Sequence, residues 1–466
     1  MKKRLIQNLS VNATQLIINQ VLGLGIFYVL STGLDKTSFG EINLVLAILL
    51  AAFNILSFGI DQLVIKKIAA GANASTIISI YLFHVVIAGL VFYGILFAGN
   101  ALFPHIKSIY PLLLLIGIGK LMIFFSTPFK QAANGMERFR LLAYMSVVSN
   151  IIRCAGLIIF ALLNLLNLHN IIIVFIAGDV IELLFCIALF KSATQVKLNF
   201  KWPRKAYGQL LGEALPQTGV VLITSALARF DWIFIGFILS AVKLAEYSFA
   251  YKIFEISTLP LLAVAPLLIP RFTKMFQQTE VDTKELKLLI RAEMMIAALV
   301  ILFLNIYWSP VIDAITSGKY GAINVKTIFV LSLCTPFLYL NNFLWTIYFA
   351  RGQLKMILTS FILTFVVNVI GDVVLIPFFK NEGAAFAFLA ACIVQTIYYL
   401  KQNNIIRIKS IWQPLFFCSV SALVGGFVAK AIFPHNWLII PTALGFYVLL
   451  LFATRQVRLS DRNVFV

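Results

Sequence analysis

The feature that most constrains this chain is a series of unbroken apolar stretches, each as long as a membrane-spanning helix. An α-helix needs about 20 apolar residues to cross the hydrocarbon core of a membrane. A transmembrane β-barrel would instead alternate apolar and polar residues along each strand. The pattern therefore predicts an all-α polytopic membrane protein with about 14 transmembrane helices, over residues 11–30, 41–60, 76–98, 110–129, 141–163, 170–190, 213–239, 245–269, 291–310, 326–349, 356–376, 384–401, 411–430 and 438–454.

Composition supports the same class of protein. Hydrophobic residues make up 61% of the 466 residues and charged residues only 12%, whereas soluble domains average about 25% charged residues. So few charges cannot cover a water-facing surface, which excludes a soluble enzyme, a secreted disulfide-rich domain and a disordered chain. Membrane topology accounts for the net charge of +19, so no nucleic acid partner is predicted.

The distribution of Lys and Arg predicts how the helices are oriented. With the N-terminus in the cytoplasm, 26 of the 37 Lys and Arg residues fall in cytoplasmic segments, seven on the opposite side and four inside the spans. This asymmetry is what the positive-inside rule requires, and one missed span would scramble it. Fourteen spans then leave both termini in the cytoplasm.

Short internal matches indicate that the chain contains a duplicated unit. Segment 39–41 after the first span resembles segment 244–246 after the seventh, at an offset of 205 residues, and the same offset places Lys66 on Arg271. Transporters are often built from such repeats. The predicted organisation is an N-terminal six-helix lobe (1–190), a basic cytoplasmic linker (191–212), a C-terminal six-helix lobe (213–405), and two extra helices with a basic cytoplasmic tail (406–466).

Several ionisable residues fall inside the predicted spans, where a charge at mid-bilayer costs about 2.5–3.5 kcal/mol on insertion scales. Such residues are expected to face the protein interior or a water-filled cavity. Residues three apart are neighbours on a helix, so Asp179 and Glu182 share a face, as do Lys252 and Glu255. The embedded cations are Lys120, Arg153, Arg229 and Lys252, and the acids at similar depths are Asp179, Glu182, Asp231, Glu255 and Asp372.

Two interpretations of these charges remain open. In the first, they neutralise one another across helices, with Lys120 and Arg153 facing Asp179 and Glu182, and with Arg229 and Lys252 facing Asp231 and Glu255. In the second, some of the cations line a hydrated cavity and hold an anionic group of a substrate. Arg suits a phosphate through its bidentate fork and Lys through its point charge. A pair that opens to admit substrate would also act as a gate.

Several chemical motifs are missing from the sequence. It contains no GxxxxGK[ST] motif and no connection large enough for a catalytic domain, which excludes an ATP-driven pump in one chain. No HExxH motif or Cys/His cluster is present, so neither a metal nor a cofactor is predicted. These absences favour a transporter over an enzyme.

The whole chain resembles the Wzx-type polysaccharide flippases. These belong to the superfamily that also contains the multidrug and toxic compound exporters and the lipid II flippases. The resemblance rests on the arrangement of six, six and two spans, the basic cytoplasmic face and the embedded charges. Local sequence agrees at three places, which are the connection with Asp35, Phe39-Gly40 and Glu41, the turn Asn134-Gly135-Met136-Glu137-Arg138-Phe139, and Arg229 with Asp231 in the seventh span.

The resemblance implies a multi-pass protein of the bacterial inner membrane that moves a lipid-linked oligosaccharide. Its substrate would be an undecaprenyl-pyrophosphate-linked repeat unit of O-antigen or a related surface polysaccharide, moved to the periplasmic leaflet through a cleft between two lobes. Membrane lipids, a polysaccharide polymerase and a chain-length regulator would be its partners. The four embedded cations would attract the pyrophosphate or acidic sugars. The acids would couple transport to an ion gradient or gate it, namely Asp179, Glu182, Asp231, Glu255 and Asp372.

Three other functions fit parts of the sequence. A cation-coupled multidrug exporter has the same architecture, although a cationic drug would favour net acidic charge in the cleft. A membrane polysaccharide polymerase or ligase usually needs a large external loop, which this sequence lacks. A structural scaffold for the polysaccharide machinery would tolerate loss of all four embedded cations.

Overall fold

The structure is a computed structural model, which describes residues 2–102, 109–196, 204–276, 283–405, 407–433 and 438–457. In these ranges the regular secondary structure is entirely helical. It comprises the short 3₁₀ helix Ala322–Asn324 and the α-helices α1 (Lys2–Gly33), α2 (Lys36–Leu56), α3 (Ile60–Ala69), α4 (Ala74–Leu102), α5 (Ile109–Gly135), α6 (Phe139–Leu162), α7 (Leu168–Thr194), α8 (Arg204–Ile238), α9 (Ala241–Ser257), α10 (Leu259–Met275), α11 (Thr283–Thr316), α12 (Val325–Ala350), α13 (Leu354–Lys401), α14 (Ile408–Ile432) and α15 (Ile439–Ala453).

Ten of the described helices are long and apolar enough to cross a membrane, and α15 is a shorter apolar helix. The predicted all-α, multi-pass membrane architecture is therefore confirmed. The count of fourteen spans and the cytoplasmic location of both termini stay predictions. The predicted span 41–60 lies in α2 and ends where α3 begins, and the span 245–269 is divided between α9 and α10. The predicted spans 356–376 and 384–401 lie together in α13.

The chain divides into two compact units, Met1–Ile233 and Phe234–Val466. In the first unit, α5 packs against α7, and α6 packs against both α1 and α7. In the second, α12 packs against α11 and α13, and α14 packs against α11 and α15. The division falls within α8, whereas the predicted lobes meet at the linker 191–212, part of which lies outside the described residues. The lobe boundaries of the sequence analysis stay predictions.

The helix pairs α2–α3 and α9–α10 begin alike and break for different local reasons. Asp35 caps α2 by accepting the backbone N–H of Ser38, and Ser240 caps α9 by accepting that of Lys243. These caps are 205 residues apart, the offset of the sequence repeat. α3 begins after Gly59, whose left-handed φ of 67° suits glycine. α10 has a proline in its first turn, where the missing N–H costs nothing.

Asp35 lies outside the membrane-spanning helices, in the connection between α1 and α2. Its carboxylate accepts the backbone N–H of Ser38 at 2.9 Å and the hydroxyl of the same serine at 2.7 Å. These hydrogen bonds hold the pKa of Asp35 below its usual range because they stabilise the ionised form. An ionised N-cap also interacts favourably with the positive end of the helix dipole.

Helix α13 is a helical hairpin, although its 48 residues are continuous in secondary structure. A straight helix of that length would extend about 72 Å, more than twice the ~30 Å hydrocarbon core. The reversal is at Lys380, whose φ of 54° and ψ of −130° are not helical. Beside it, the side chain of Asn381 donates to the carbonyl of Lys243 at 3.0 Å. The two arms approach closely where Gly371 faces Ala387.

Candidate functional site

The embedded charges of the first unit meet at the contact of α5, α6 and α7. The buried stripe of α7 carries Phe175, Asp179, Glu182 and Cys186, at the spacing that keeps residues on one helix face. Lys120 lies on α5, and Arg153 lies on the buried face of α6. The structure therefore brings together four of the predicted site residues, Lys120, Arg153, Asp179 and Glu182, which we call the first-unit charge cluster together with Lys130.

The centre of the cluster is an ion pair between Nη2 of Arg153 and Oδ1 of Asp179. Only 7% of Arg153 and 1% of Asp179 is exposed. The hydroxyl of Ser149, one helical turn before Arg153, donates to the same carboxylate oxygen at 3.1 Å. The guanidinium also lies over the ring of Phe175, with its carbon 4.8 Å from the ring centroid. Asp179 is thus held by two polar neighbours on α6.

Glycines on the neighbouring helices make this close approach of charged side chains possible. A Cβ atom on Gly119 of α5 would lie 2.6 Å from Oδ2 of Asp179, and one on Gly178 of α7 would lie 3.1 Å from Cγ of Arg153. Neither distance leaves room for a methyl group without displacement of a charged side chain. The absence of a side chain at both positions therefore permits the pair to form between tightly packed helices.

Glu182, one turn along α7, forms an ion pair with Lys130 of α5. The predicted span ended at residue 129, so Lys130 was predicted to lie in a cytoplasmic connection. The helix instead continues past Pro128 to Gly135. The apolar residues Phe129, Ala132 and Ala133 around Lys130 are buried, and this continuing periodicity was the signal for a longer helix. The predicted neutralisation of Glu182 by Lys120 or Arg153 is therefore corrected, since Lys130 takes that place.

Lys120 is half-buried and makes no ion pair with any residue that the structure describes. It interacts electrostatically with both acids of the cluster and with both of the other cations. Three cations thus face two carboxylates, which leaves the cluster with an excess of one positive charge. Among the described residues, Nε of Arg153 and Oδ2 of Asp179 also lack a hydrogen-bond partner. The cluster therefore has an excess positive charge and one N–H donor, at Nε of Arg153, left for an anionic group.

The other predicted site residues lie on α8, α9 and α13. In α8, the guanidinium of Arg229 lies over the ring of Trp232 at 4.4 Å, and the carboxylate of Asp231 accepts the backbone N–H of Trp232 at 2.8 Å. In α9, Lys252 and Glu255 form an ion pair at 2.8 Å between residues three apart, as their shared face predicted. The roles of these four residues in binding, coupling or gating stay predictions.

In the second unit, Asp372 of α13 is fully buried and accepts the side-chain amide of Asn368 at 2.7 Å. A second ion pair of this unit was missed by the sequence analysis. Lys243 and Glu246 of α9 are 2.7 Å apart, and Glu246 is buried. Their spacing of three residues on one helix could have predicted this ion pair.

The second unit also contains a mostly apolar cavity of about 1400 Å³. Residues of α11, α12 and α14 line most of it, and its charged residues are Lys326, Lys430, Asp313 and Glu382. Lys430 donates to the backbone carbonyl of Asn305 at 2.7 Å. In the described part of the chain, no group of three or more His, Cys, Asp or Glu residues could hold a metal ion.

Replacing Gly119 by alanine tests how tightly the cluster is packed. The new methyl group would displace the Asp179 carboxylate, so we expect a destabilisation of about 1–3 kcal/mol, as for other overpacked interiors. The measurement is thermal unfolding of the purified protein in detergent. The matched control is Gly23→Ala, because nothing lies within 4 Å of a Cβ at Gly23. Equal unfolding temperatures for the two variants would show that the carboxylate moves aside freely.

Comparisons with known proteins identify a family and several solved structures of similar fold. The family model described as polysaccharide biosynthesis protein matches residues 5–276. No curated protein matches the chain. Among solved structures, the lipid II flippase MurJ in an inward closed conformation has 14% sequence identity and a TM-score of 0.76, with 98% of this chain and 99% of that chain covered.

Two other solved structures share the fold at similar sequence identity. A multidrug resistance MATE family transporter of the MOP superfamily, in an inward-facing conformation, has 14% identity and a TM-score of 0.66, with 84% of this chain and 98% of that chain covered. A MOP superfamily transporter from Pyrococcus furiosus has 15% identity and a TM-score of 0.58, with 86% and 95% covered.

These matches confirm the resemblance found in the sequence. At such low identity the solved structures show the fold alone, whereas the family model covers more than half of the chain. The fold is similar to those of the lipid II flippase and the multidrug resistance transporter named above, and the protein is a multi-pass membrane protein. The chain therefore belongs to the family of polysaccharide biosynthesis proteins.

Proposed function

We propose that this protein is a flippase for an undecaprenyl-pyrophosphate-linked oligosaccharide, a repeat unit of O-antigen or a related surface polysaccharide. It moves this lipid from the cytoplasmic to the periplasmic leaflet of the bacterial inner membrane by alternating access. The family points to polysaccharide biosynthesis. The fold is shared with a protein named as a lipid II flippase. A polymerase and a chain-length regulator act on the translocated product.

The observation that carries this proposal is the positive excess of the first-unit charge cluster. Lys120 has no ion-pair partner among the described residues, and Lys130 and Arg153 add to the positive potential around it. A pyrophosphate would be attracted to such a place, since charge-assisted hydrogen bonds to phosphate are among the strongest in proteins. The Arg153–Asp179 pair then positions the guanidinium and acts as the gate that substrate opens.

Other parts of the molecule have supporting roles in this proposal. The apolar cavity of the second unit, which α14 helps to line, offers a surface for the polyprenyl chain. Arg229 and Lys252 contact the substrate at another stage of transport. The acids Asp179, Glu182, Asp231, Glu255 and Asp372 couple transport to an ion gradient or gate it.

A multidrug exporter is the second candidate, because the fold is shared with a multidrug resistance transporter. Such proteins usually carry cationic, aromatic compounds, which would be repelled by three cations facing two acids. The charge balance of the cluster therefore favours an anionic cargo. A polymerase, a ligase or a scaffold has no such observation in its favour.

The test is translocation of an undecaprenyl-pyrophosphate-linked oligosaccharide in proteoliposomes, with the wild type and Lys120→Gln. Removing this cation leaves no described acid without its ion-pair partner, so the variant is expected to fold normally. A hydrogen bond to a charged group is worth about 1.5–3 kcal/mol. The rate should therefore fall by about tenfold or more, since 1.36 kcal/mol is a factor of ten.

The matched control is Lys191→Gln, which removes an exposed cation from the end of α7 and should leave the rate unchanged. Translocation by both variants at the wild-type rate would show that Lys120 does not bind the substrate. No translocation by a folded wild type, together with export of a cationic dye, would establish the exporter instead.

A further inference from the structure

A carboxyl group lies in the middle of the apolar face of α11. The buried stripe of this helix runs through Leu286, Ile290, Glu293, Ala297 and Ile301, at the spacing of one helix face. Only 6% of Glu293 is exposed, and the other four side chains are buried aliphatic groups. Glu293 is not one of the embedded acids predicted from the sequence.

Neither carboxyl oxygen of Glu293 has a hydrogen-bond partner among the residues that the structure describes. This distinguishes Glu293 from Asp179 and Glu182, whose carboxylates each pair with a cation. Tyr339 of α12 interacts with Glu293 electrostatically. The hydroxyl of Tyr339 is buried and also lacks a hydrogen-bond partner among the described residues.

Among the described residues, the helices packed against α11 contribute no buried charged side chain to the core around Glu293. The titratable residues that these helices contribute to this core are Tyr339 and Tyr348 of α12, Cys418 of α14 and Tyr447 of α15. Arg291 acts electrostatically on Cys418 of this core, but the described ion pairs and hydrogen bonds of the cations on or beside these helices are made with groups other than Glu293. Arg271 pairs with Glu285, Arg291 donates to the carbonyl of Gln456 at 3.4 Å, and Lys430 donates to that of Asn305.

An ionised carboxylate in these surroundings would be an unpaired charge in an apolar core. The penalty for burying such a charge far exceeds that of burying a neutral carboxyl group. The carboxyl group can avoid this penalty by keeping its proton at neutral pH, since the ordinary pKa of a glutamate side chain is only a few units below neutral pH. The packed arrangement of α11, α12 and α14 is therefore compatible with the protonated form alone.

We propose that Glu293 is a proton-binding site of the second unit, protonated in the packed arrangement and able to release its proton only when α11 separates from α12 or α14. Separation would admit water, which stabilises the carboxylate. Protonation would then favour return to the packed arrangement. The proton site itself is independent of the proposed flippase function, but its use in driving transport rests on that function.

Infrared difference spectroscopy of the purified protein in lipid nanodiscs tests the site directly. A protonated carboxyl and a carboxylate absorb in separate regions of the spectrum, so the difference between the wild type and Glu293→Gln shows the state of this group. At neutral pH we expect the variant to lose a protonated-carboxyl band. Glutamine has nearly the shape of the protonated side chain, so the variant is expected to fold. If it does not, Glu293→Asp replaces it, and this variant should shift the protonated-carboxyl band.

The matched control is Glu285→Gln on the same helix. Glu285 is paired with Arg271, so its replacement should remove carboxylate bands and leave the protonated-carboxyl band unchanged. Loss of carboxylate bands, instead of the protonated band, in Glu293→Gln would show that Glu293 is ionised and would overturn the proposal.

Transport measurements separate the proton site from the flippase. In proteoliposomes with a pH gradient, Glu293→Gln should lose the stimulation of translocation by the gradient while substrate still equilibrates between leaflets. Unchanged stimulation in Glu293→Gln would overturn the coupling role. If the wild type moves no lipid-linked oligosaccharide, the flippase proposal fails, and the infrared result still decides whether Glu293 binds a proton.

Discussion

Replacing Arg153 by glutamine is expected to destabilise the first unit by about 3–5 kcal/mol, because it leaves Asp179 as a buried charge without its cation. Asp179→Asn should have a similar effect, since it leaves the buried guanidinium unpaired. The double variant should recover much of the lost stability, because it contains neither unpaired charge. Thermal unfolding in detergent measures all three, with Arg140→Gln as the control because Arg140 is exposed.

Transport by the double variant separates the two interpretations of the embedded charges. If Arg153 and Asp179 only neutralise each other, a stable double variant should translocate at the wild-type rate. We expect a stable protein that has lost translocation, because the guanidinium that holds the pyrophosphate is missing. A double variant as unstable as the single ones would contradict the assigned pairing, since no shared interaction would then link the two residues.

Replacing Gly383 by alanine should prevent the α13 hairpin from closing. A Cβ there would lie 2.4 Å from the carbonyl oxygen of Leu375 and 2.9 Å from the backbone nitrogen of Ile376. These backbone atoms belong to the facing arm and cannot move aside without opening the hairpin. We expect a destabilisation of about 3 kcal/mol or more, the upper range for overpacking, measured as the yield of monodisperse protein and its unfolding temperature.

Gly445→Ala is the matched control for the hairpin variant. Nothing lies within 4 Å of a Cβ at this position of α15. Alanine has the higher helix propensity, so this variant should be neutral or stabilised by up to about 1 kcal/mol. A Gly383→Ala protein as stable as Gly445→Ala would show that the two arms of α13 are not packed as described.

The all-helical membrane architecture follows from the sequence because the hydrocarbon core imposes it. A backbone in lipid must satisfy its hydrogen bonds internally, so long apolar stretches become helices whatever their neighbours. The four predicted residues of the first-unit charge cluster could be found for a related reason. A charge at that depth must face the protein interior, so Lys120, Arg153, Asp179 and Glu182 were candidates from depth alone.

The partner of each embedded charge was decided only by the tertiary structure. Whether Glu182 meets Lys120 or Lys130 depends on the rotation and depth of α5 relative to α7, and hydropathy averaged over a span contains neither quantity. The same limit hid Glu293, whose unpaired state depends on what α12 and α14 present to it. The reversal at Lys380 joins two predicted spans in one hairpin, because glycines let its arms approach. Sequence thus determined which segments enter the membrane and which charges must be sheltered there, while packing between helices determined which charges are paired.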